Sequence, residues 1–221
     1  MTTPLTLYWI SGSPPAWRVM LFLTLKELPY QANRLDHAAK ENRTPEYLAI
    51  NPTGQVPTLV AGDLVIRESI AIMAWLERAF PERPLFGDSD RSAASIWQEL
   101  ILMENELRPA VTTIARTLLR KETLQKGDAL SAAGRILMDW ADDLSDRLQN
   151  QPFLSGDQPA VTDLWLYPSV GWIERAVEKS GNSAPKNITS LLKDRPSLEN
   201  WQARLAALPG VAATYPPHWR E

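Results

Sequence analysis

A chain of 221 residues with 44% hydrophobic and 22% charged residues has the composition of an ordinary globular protein, and room for one large domain or two small ones. Its 23 basic and 26 acidic residues leave a formal charge of −3, which excludes an electrostatic footprint for nucleic acid, and no run of about 18 apolar residues is present to span a membrane. The complete lack of cysteine excludes a disulfide framework, a thiolate zinc site and a redox CxxC pair, so any thiol chemistry must use a thiol brought in by a ligand.

Residues 5–10, Leu-Thr-Leu-Tyr-Trp-Ile, form a short β-rich run that Ser11-Gly12-Ser13-Pro14-Pro15 ends. Pro15 suits the first turn of a helix, and Val19, Leu21, Phe22 and Leu25 follow at helical spacing. Tyr30 to Leu35 can make a second strand, parallel to the first because a helix joins them. Thr58 to Ile66 reads as a hairpin turning at Gly62-Asp63. Ser69 to Ala79 is then a helix with Ile70, Met73, Ala74 and Leu76 inward. The order β-α-β, connector, β-β-α is thioredoxin-like.

Pro81, Pro84, Gly87 and Asp88 mark a linker, and beyond it the pattern is wholly helical. Ile96, Leu100, Met103, Leu107, Val111, Ile114 and Leu118 recur every three to four residues, with Pro109 expected to kink the run. Gly127-Asp128 precedes a helix with Ile136, Leu137, Trp140, Leu144 and Leu148 on one face; another starts near Val161, and two short ones lie around 188–207. The fold class expected is an α/β thioredoxin-like domain at 1–80, a linker at 81–89 and an all-α domain at 90–221. Met1-Thr2-Thr3-Pro4-Leu5 lacks the charged start and apolar core of a secretion signal, so a cytoplasmic location is expected. His37 and His218 sit in no recognisable motif and are expected to be surface residues, which leaves a Ser-His-Asp triad without support.

The densest signal is Asn51-Pro52-Thr53-Gly54-Gln55-Val56-Pro57-Thr58-Leu59, with Glu68-Ser69 after it. Pro57 cannot donate to a ladder and belongs at a strand start, and Val56–Pro57 is expected to be cis. Val56 is expected to present its N–H and C=O to an extended peptide, as in strand addition. Glu68-Ser69 opens a helix, where unpaired backbone N–H groups favour an anion. Together these suit a short peptide with a free carboxylate.

These motifs resemble those of the cytosolic glutathione transferases, specifically a serine-type, tau/zeta/theta-like bacterial or plant branch. The resemblance extends to Phe153-Leu154-Ser155-Gly156-Asp157, to Arg195-Pro196 with Trp201, and to Leu208-Pro209-Gly210-Val211, so it spans nearly the whole chain. It implies that Val56 pairs with the cysteinyl backbone of glutathione and that Glu68 and Ser69 hold the γ-glutamyl end. Arg43 and Gln55 are expected at the glycine end, Arg43 because a guanidinium fork suits a carboxylate. Asp163 matches the acid of a capping box, although the usual hydroxyl three residues earlier is Ala160 here.

The resemblance implies a serine hydroxyl that donates to the glutathione sulfur, and Ser13 in Ser13-Pro14-x-x-x-Arg18-Val19 matches it. A free thiol of pKa about 8.5 is only a few per cent ionised at pH 7, and lowering it by about two units takes roughly 2.7 kcal/mol of preferential stabilisation. The alternative for Ser13 is a plain helix cap; Ser11 is the runner-up donor, and Tyr8 a weaker rival. The expected activity is attack of a glutathione thiolate on a hydrophobic electrophile, as conjugation or as peroxide reduction, with glutathione as co-substrate and no cofactor or metal. Maleylacetoacetate-type isomerisation and a non-catalytic binding or regulatory role are the alternatives; the isomerase branch usually carries Ser-Ser-Cys after the first strand, which this chain lacks. Trp9, Trp17, Trp97, Trp165, Trp172 and Trp219 are candidates to line an apolar pocket, and Met103, Arg108, Thr112 and Arg116 to face it. The resemblance also implies a homodimer, with Glu99, Glu104 and Glu106 candidates to complete the partner's site.

Overall fold

The structure is a computed structural model and describes residues 4–220; Met1, Thr2, Thr3 and Glu221, at the ends of the two expected domains, lie outside the described residues. The described chain divides into two compact units, 1–85 with 209–221, and 86–208.

In the first unit the elements run β1 (Leu5–Trp9), α1 (Pro14–Leu25), β2 (Gln31–Arg34), α2 (Pro45–Ile50), β3 (Thr58–Ala61), β4 (Leu64–Arg67) and α3 (Ser69–Ala79). The sheet order is β2-β1-β3-β4, with β1 parallel to β2 and antiparallel to β3, and β4 closing the hairpin. This is the thioredoxin-like order. Gly62, at φ +65°, makes the hairpin turn where the sequence placed it. On α3 the buried face is Ile72, Met73 and Leu76. Ile70 and Ala74, expected inward, are only half-buried, because the helix phase is set by Ile72 and Leu76 one turn apart.

Helix α1 is buried on nearly all sides, from Ala16 through Leu23. Such a helix needs cover on more than one face. Helix α3 supplies one cover, and residues Val211–Thr214 of the C-terminal segment supply another. Trp17 donates its indole N–H to Thr214 Oγ1 at 2.7 Å, and its ring meets Tyr215 and Trp219 edge-on at 5.5 and 5.7 Å between centroids. Residues 209–221, expected in the helical domain, therefore belong with the thioredoxin-like unit, because burial of this aromatic cluster returns them there. At the far end of α1, buried Lys26 bonds Glu77 at 2.7 Å and the carbonyls of Phe80 and Glu82 at 2.8 and 3.0 Å, which satisfies its charge and joins the C-terminal ends of α1 and α3.

The second unit is all-helical: α4 (Asp90–Leu102), α5 (Arg108–Leu119), α6 (Gly127–Arg147), α7 (Val161–Ser180), α8 (Lys186–Thr189) and α9 (Pro196–Ala206). The periodic residues Ile96 to Leu118 are all buried. A π-turn, Met103–Leu107, joins α4 to α5, and Pro109 sits at the second position of α5. The wider turn accommodates a proline that removes an N–H and would clash with the carbonyl four residues back. On α6 the buried row is Leu130, Ala133, Leu137, Ala141, Leu144 and Leu148; Ile136, expected in that row, is exposed, since its neighbour Leu137 already occupies the inner face.

Asp163 is the buried hub of this unit. One carboxylate oxygen accepts from Leu154 N–H at 2.9 Å and Trp201 Nε1–H at 2.7 Å, and the other from Ala160 N–H at 2.8 Å. Ala160 has no side-chain oxygen to return a bond, so only the acid half of the capping box is built. Trp165 is also core: fully buried, it donates to Glu104 at 2.8 Å. Glu104 further pairs with Arg108 at 2.6 Å, and Glu99 pairs with Arg147. Glu99 and Glu104 are thus engaged inside their own unit. Trp17 and Trp219 are likewise committed to the aromatic cluster on α1, and Met103 to the helical core. Among the described residues, no helix is long and apolar enough to cross a membrane.

Candidate active site

The sheet register brings the candidate residues together. Tyr8 is paired with Thr58, Thr58 with Arg67, and Trp9 with Arg34. The segments that follow β1, precede β3, follow β4 and follow β2 therefore emerge at one end of the sheet. They carry Ser11 and Ser13, Val56 and Pro57, Glu68 and Ser69, and Leu35 to His37.

Ser13 stands at the N-cap of α1 but makes no side-chain cap hydrogen bond. The next two residues are Pro14 and Pro15, so the first two helical positions carry no N–H for a cap to bind. The helix start is correspondingly short of backbone donors, and Ser13's own N–H bonds Ile10 C=O at 3.2 Å. A hydroxyl with no capping partner is free to donate elsewhere. Gly12, at φ +81°, makes the bend between Ser11 and Ser13.

The Val56–Pro57 peptide bond is cis. The loop before it is held from beneath. Tyr47 donates its hydroxyl to Gln55 C=O at 2.5 Å, and Asn51 Nδ2 donates to the same carbonyl at 2.8 Å and to Thr58 Oγ1 at 3.0 Å. Burial raises the Tyr47 phenol above its ordinary pKa, which keeps it a donor. Tyr8 packs on Tyr47 with ring centroids 5.6 Å apart, which explains its presence in β1. Helix α2 carries Tyr47; Thr44 caps that helix and Pro45 starts it. Asn51, Tyr47 and Thr58 are positioning residues that sequence reasoning did not single out, although Asn51 opens the quoted motif.

Arg43 and Gln55 sit on the same loop system and are exposed. One Arg43 nitrogen donates to Thr53 C=O at 2.9 Å and packs where a β-carbon on Gly54 would come within 2.5 Å. Asn42 donates to Gly54 C=O at 2.7 Å. Arg43 thus braces the loop with one arm and exposes the rest of the fork.

Glu68 holds φ +67° and ψ 120°, a conformation a non-glycine residue adopts at a cost of roughly 1–3 kcal/mol. Its side chain is exposed, while Ser69 is buried as the first residue of α3. Ser69 opens α3, and the unpaired N–H groups of a helix start suit an anion.

His218 is exposed, as expected, and it also has a hydrogen-bond partner within the unit. The C-terminal segment brings its Nδ1 to 2.6 Å from Ser11 Oγ. Ile10, Ser11, Arg34, Leu35, Asp36, His37 and His218 line a cavity of about 160 Å³. His37 is exposed, as expected. The Ser11–His218 pair spans 207 positions, and no local pattern announces it.

A family model for the glutathione S-transferase N-terminal domain matches residues 12–79. Glutathione S-transferase 1 of Dianthus caryophyllus is 33% identical over 171 residues, covering 76% of this chain and 77% of that protein. The chain belongs to the glutathione S-transferase family. The crystal structure of a glutathione S-transferase from the Antarctic clam Laternula elliptica superposes with a TM-score of 0.81 at 27% identity, covering 99% of this chain and 95% of that one. A maleylacetoacetate isomerase from Pseudomonas aeruginosa is 29% identical over 173 residues, covering 76% of this chain and 81% of that protein. For a glutathione S-transferase without cysteine, the sulfur must come with the ligand.

Proposed function

We propose that the chain is a glutathione transferase that ionises bound glutathione and directs the thiolate at a hydrophobic electrophile. The observation that carries this reading is the convergence of the uncapped Ser13 hydroxyl, the braced Val56–Pro57 loop and the Glu68–Ser69 helix start at one end of the sheet. In this reading Val56 pairs with the peptide backbone, Ser69 and the first N–H groups of α3 hold the γ-glutamyl carboxylate, and Glu68 faces its ammonium. Arg43 and Gln55 hold the glycine carboxylate. Ser13 donates to the sulfur. Retention on immobilised glutathione, followed by ultraviolet titration of the bound thiolate, tests it. The expected result is binding with a thiol pKa about two units below the free value of about 8.5. Failure to bind sinks the reading, and binding without a thiolate signal leaves the non-catalytic alternative.

Glutathione-dependent isomerisation is the second reading, favoured by the maleylacetoacetate isomerase relative. It begins from the same thiolate, and turnover of a cis-alkenyl diketo acid against an aryl halide separates the two. We also propose a symmetric homodimer working in the cytoplasm. Leu64 and Val65 on the edge strand β4, and Trp97, Ile101 and Leu102 on α4, are exposed apolar residues that an interface would cover. Sedimentation at micromolar concentration is expected to give a dimer, and a fully active monomer would remove this part.

A further inference from the structure

The segment Val211–Trp219 lies on α1, held by Trp17, Thr214, Tyr215 and Trp219, and puts His218 over Gly12, where a β-carbon would come within 2.9 Å of His218 Cε1. His218 Nδ1 lies 2.6 Å from Ser11 Oγ. With imidazole neutral and Nδ1 bare, the Ser11 hydroxyl donates to it. A hydroxyl whose hydrogen is committed in this way offers lone pairs to the other side and acts there as an acceptor. That is the wrong polarity for stabilising a thiolate and the right one for receiving a thiol proton.

We propose that Ser11 and His218 form a proton relay for the thiol bound at this site, an inference that rests on the transferase reading above. The S–H bond breaks, its proton goes to Ser11 Oγ, and the proton already on Ser11 passes to His218 Nδ1. Sulfur keeps the electron pair. A neutral thiol and a neutral imidazole become a thiolate and an imidazolium, with the Ser11 hydroxyl restored between them and now donating to sulfur. Charge and atoms balance, and no further reactant is needed. Ser11 touches the sulfur; His218 acts through Ser11 and is a positioning residue. It is also the resting place of the proton, because a new negative charge beside an imidazole favours its protonated form.

Other charged and titratable groups face His218 from two elements. From the end of β2 come Arg34, Asp36 and His37, which share the cavity. Asp36 Oδ1 accepts from the N–H groups of Ala38 and Ala39, so that oxygen is tied to its own turn. Arg34 lies 6.0 Å from the Trp9 ring. On the tail itself, Arg220 donates to Ala212 C=O at 2.6 Å and lies over the Tyr215 ring.

The decisive measurement is the number of protons released to solvent per thiolate formed when the full chain binds glutathione near pH 7. Calorimetry in two buffers of different ionisation enthalpy gives the protons, and ultraviolet absorbance gives the thiolate. The wild-type ratio is expected below about one half, since His218 retains the proton. His218→Asn keeps an acceptor for Ser11 but cannot hold a proton, and its ratio should rise to about one. His37→Gln, which removes the cavity's other imidazole, should keep the wild-type ratio. Added imidazole should bring the ratio of His218→Ala back below that of the same variant without imidazole. A ratio of about one in the wild type overturns the relay, as does an unchanged ratio in His218→Asn. A rise confined to His37→Gln overturns the assignment to His218. If the wild type binds no glutathione, the transferase reading fails first and takes the relay with it.

Discussion

Replacing Asp163 by alanine is expected to lower the stability of the helical unit by about 3–5 kcal/mol. The substitution orphans three buried donors, Leu154 N–H, Ala160 N–H and Trp201 Nε1–H. Each unsatisfied buried donor costs roughly 1–3 kcal/mol, and the lost carboxylate leaves a small void besides. One term runs the other way. Burial pushes the Asp163 pKa up from 3.8 to about 6 against the pull of those donors, so the charged form is itself held at a cost. A shift of about two units is roughly 3 kcal/mol at neutral pH. Alanine relieves that cost, and the donors still outweigh it.

The same shift fixes the sign of the pH dependence. A carboxyl whose folded pKa is raised binds its proton more tightly when folded, so its contribution to stability is greatest below about pH 4 and is lost as pH rises through about 6. The stability gap between wild type and Asp163→Ala should therefore widen by up to about 3 kcal/mol as pH falls from 7 to 4. Urea unfolding of both proteins across that range measures the gap. A gap that stays constant with pH would show that Asp163 is not the titrating group, and a gap under about 1 kcal/mol would show that its three donors find other partners.

Most of the thioredoxin-like unit was legible because its signals are local. Gly62-Asp63 turns a hairpin, Pro14 and Pro15 start α1, and Ser69 begins α3 where the apolar period of the helix also begins. The Glu68–Ser69 and Val56–Pro57 positions were legible for the same reason, each lying within two residues of a strand end. What escaped the sequence is long-range. The return of residues 209–221 to the first unit depends on Trp17 meeting Tyr215 and Trp219, a contact with no period in the chain. His218 followed that segment and could not be placed without it. The tryptophans read as candidates for a substrate pocket were ambiguous for a different reason: a large ring fills a core as well as it lines a cavity, and Trp17, Trp165 and Trp219 fill cores. Pro109 marked a disturbance in the helical run, but only the backbone shows the π-turn that precedes it.

The second large effect separates the two serines that flank Gly12. Ser13→Ala is expected to bind glutathione nearly as the wild type does, because the peptide contacts assigned to Val56, Glu68 and Ser69 are untouched. Its bound thiol should titrate closer to the free value, and turnover should fall by tens to hundreds of fold. Losing about 1.5–3 kcal/mol from one hydrogen bond to a charged group corresponds to that range. Backbone donors have little capacity to compensate, since Pro14 and Pro15 supply no N–H and the N–H of Ser13 is bonded to Ile10. Ser11→Ala should shift the titration less, because the hydroxyl of Ser11 is shared with His218, but it should raise the protons released per thiolate, which Ser13→Ala should leave unchanged. The two variants therefore move different observables. If Ser11→Ala shifts the titration more than Ser13→Ala, the sulfur's donor is Ser11 and the uncapped hydroxyl of Ser13 is incidental. If neither shifts it, the thiolate is held by the backbone around Gly12, and the chemistry of the site lies in the bend rather than in either side chain.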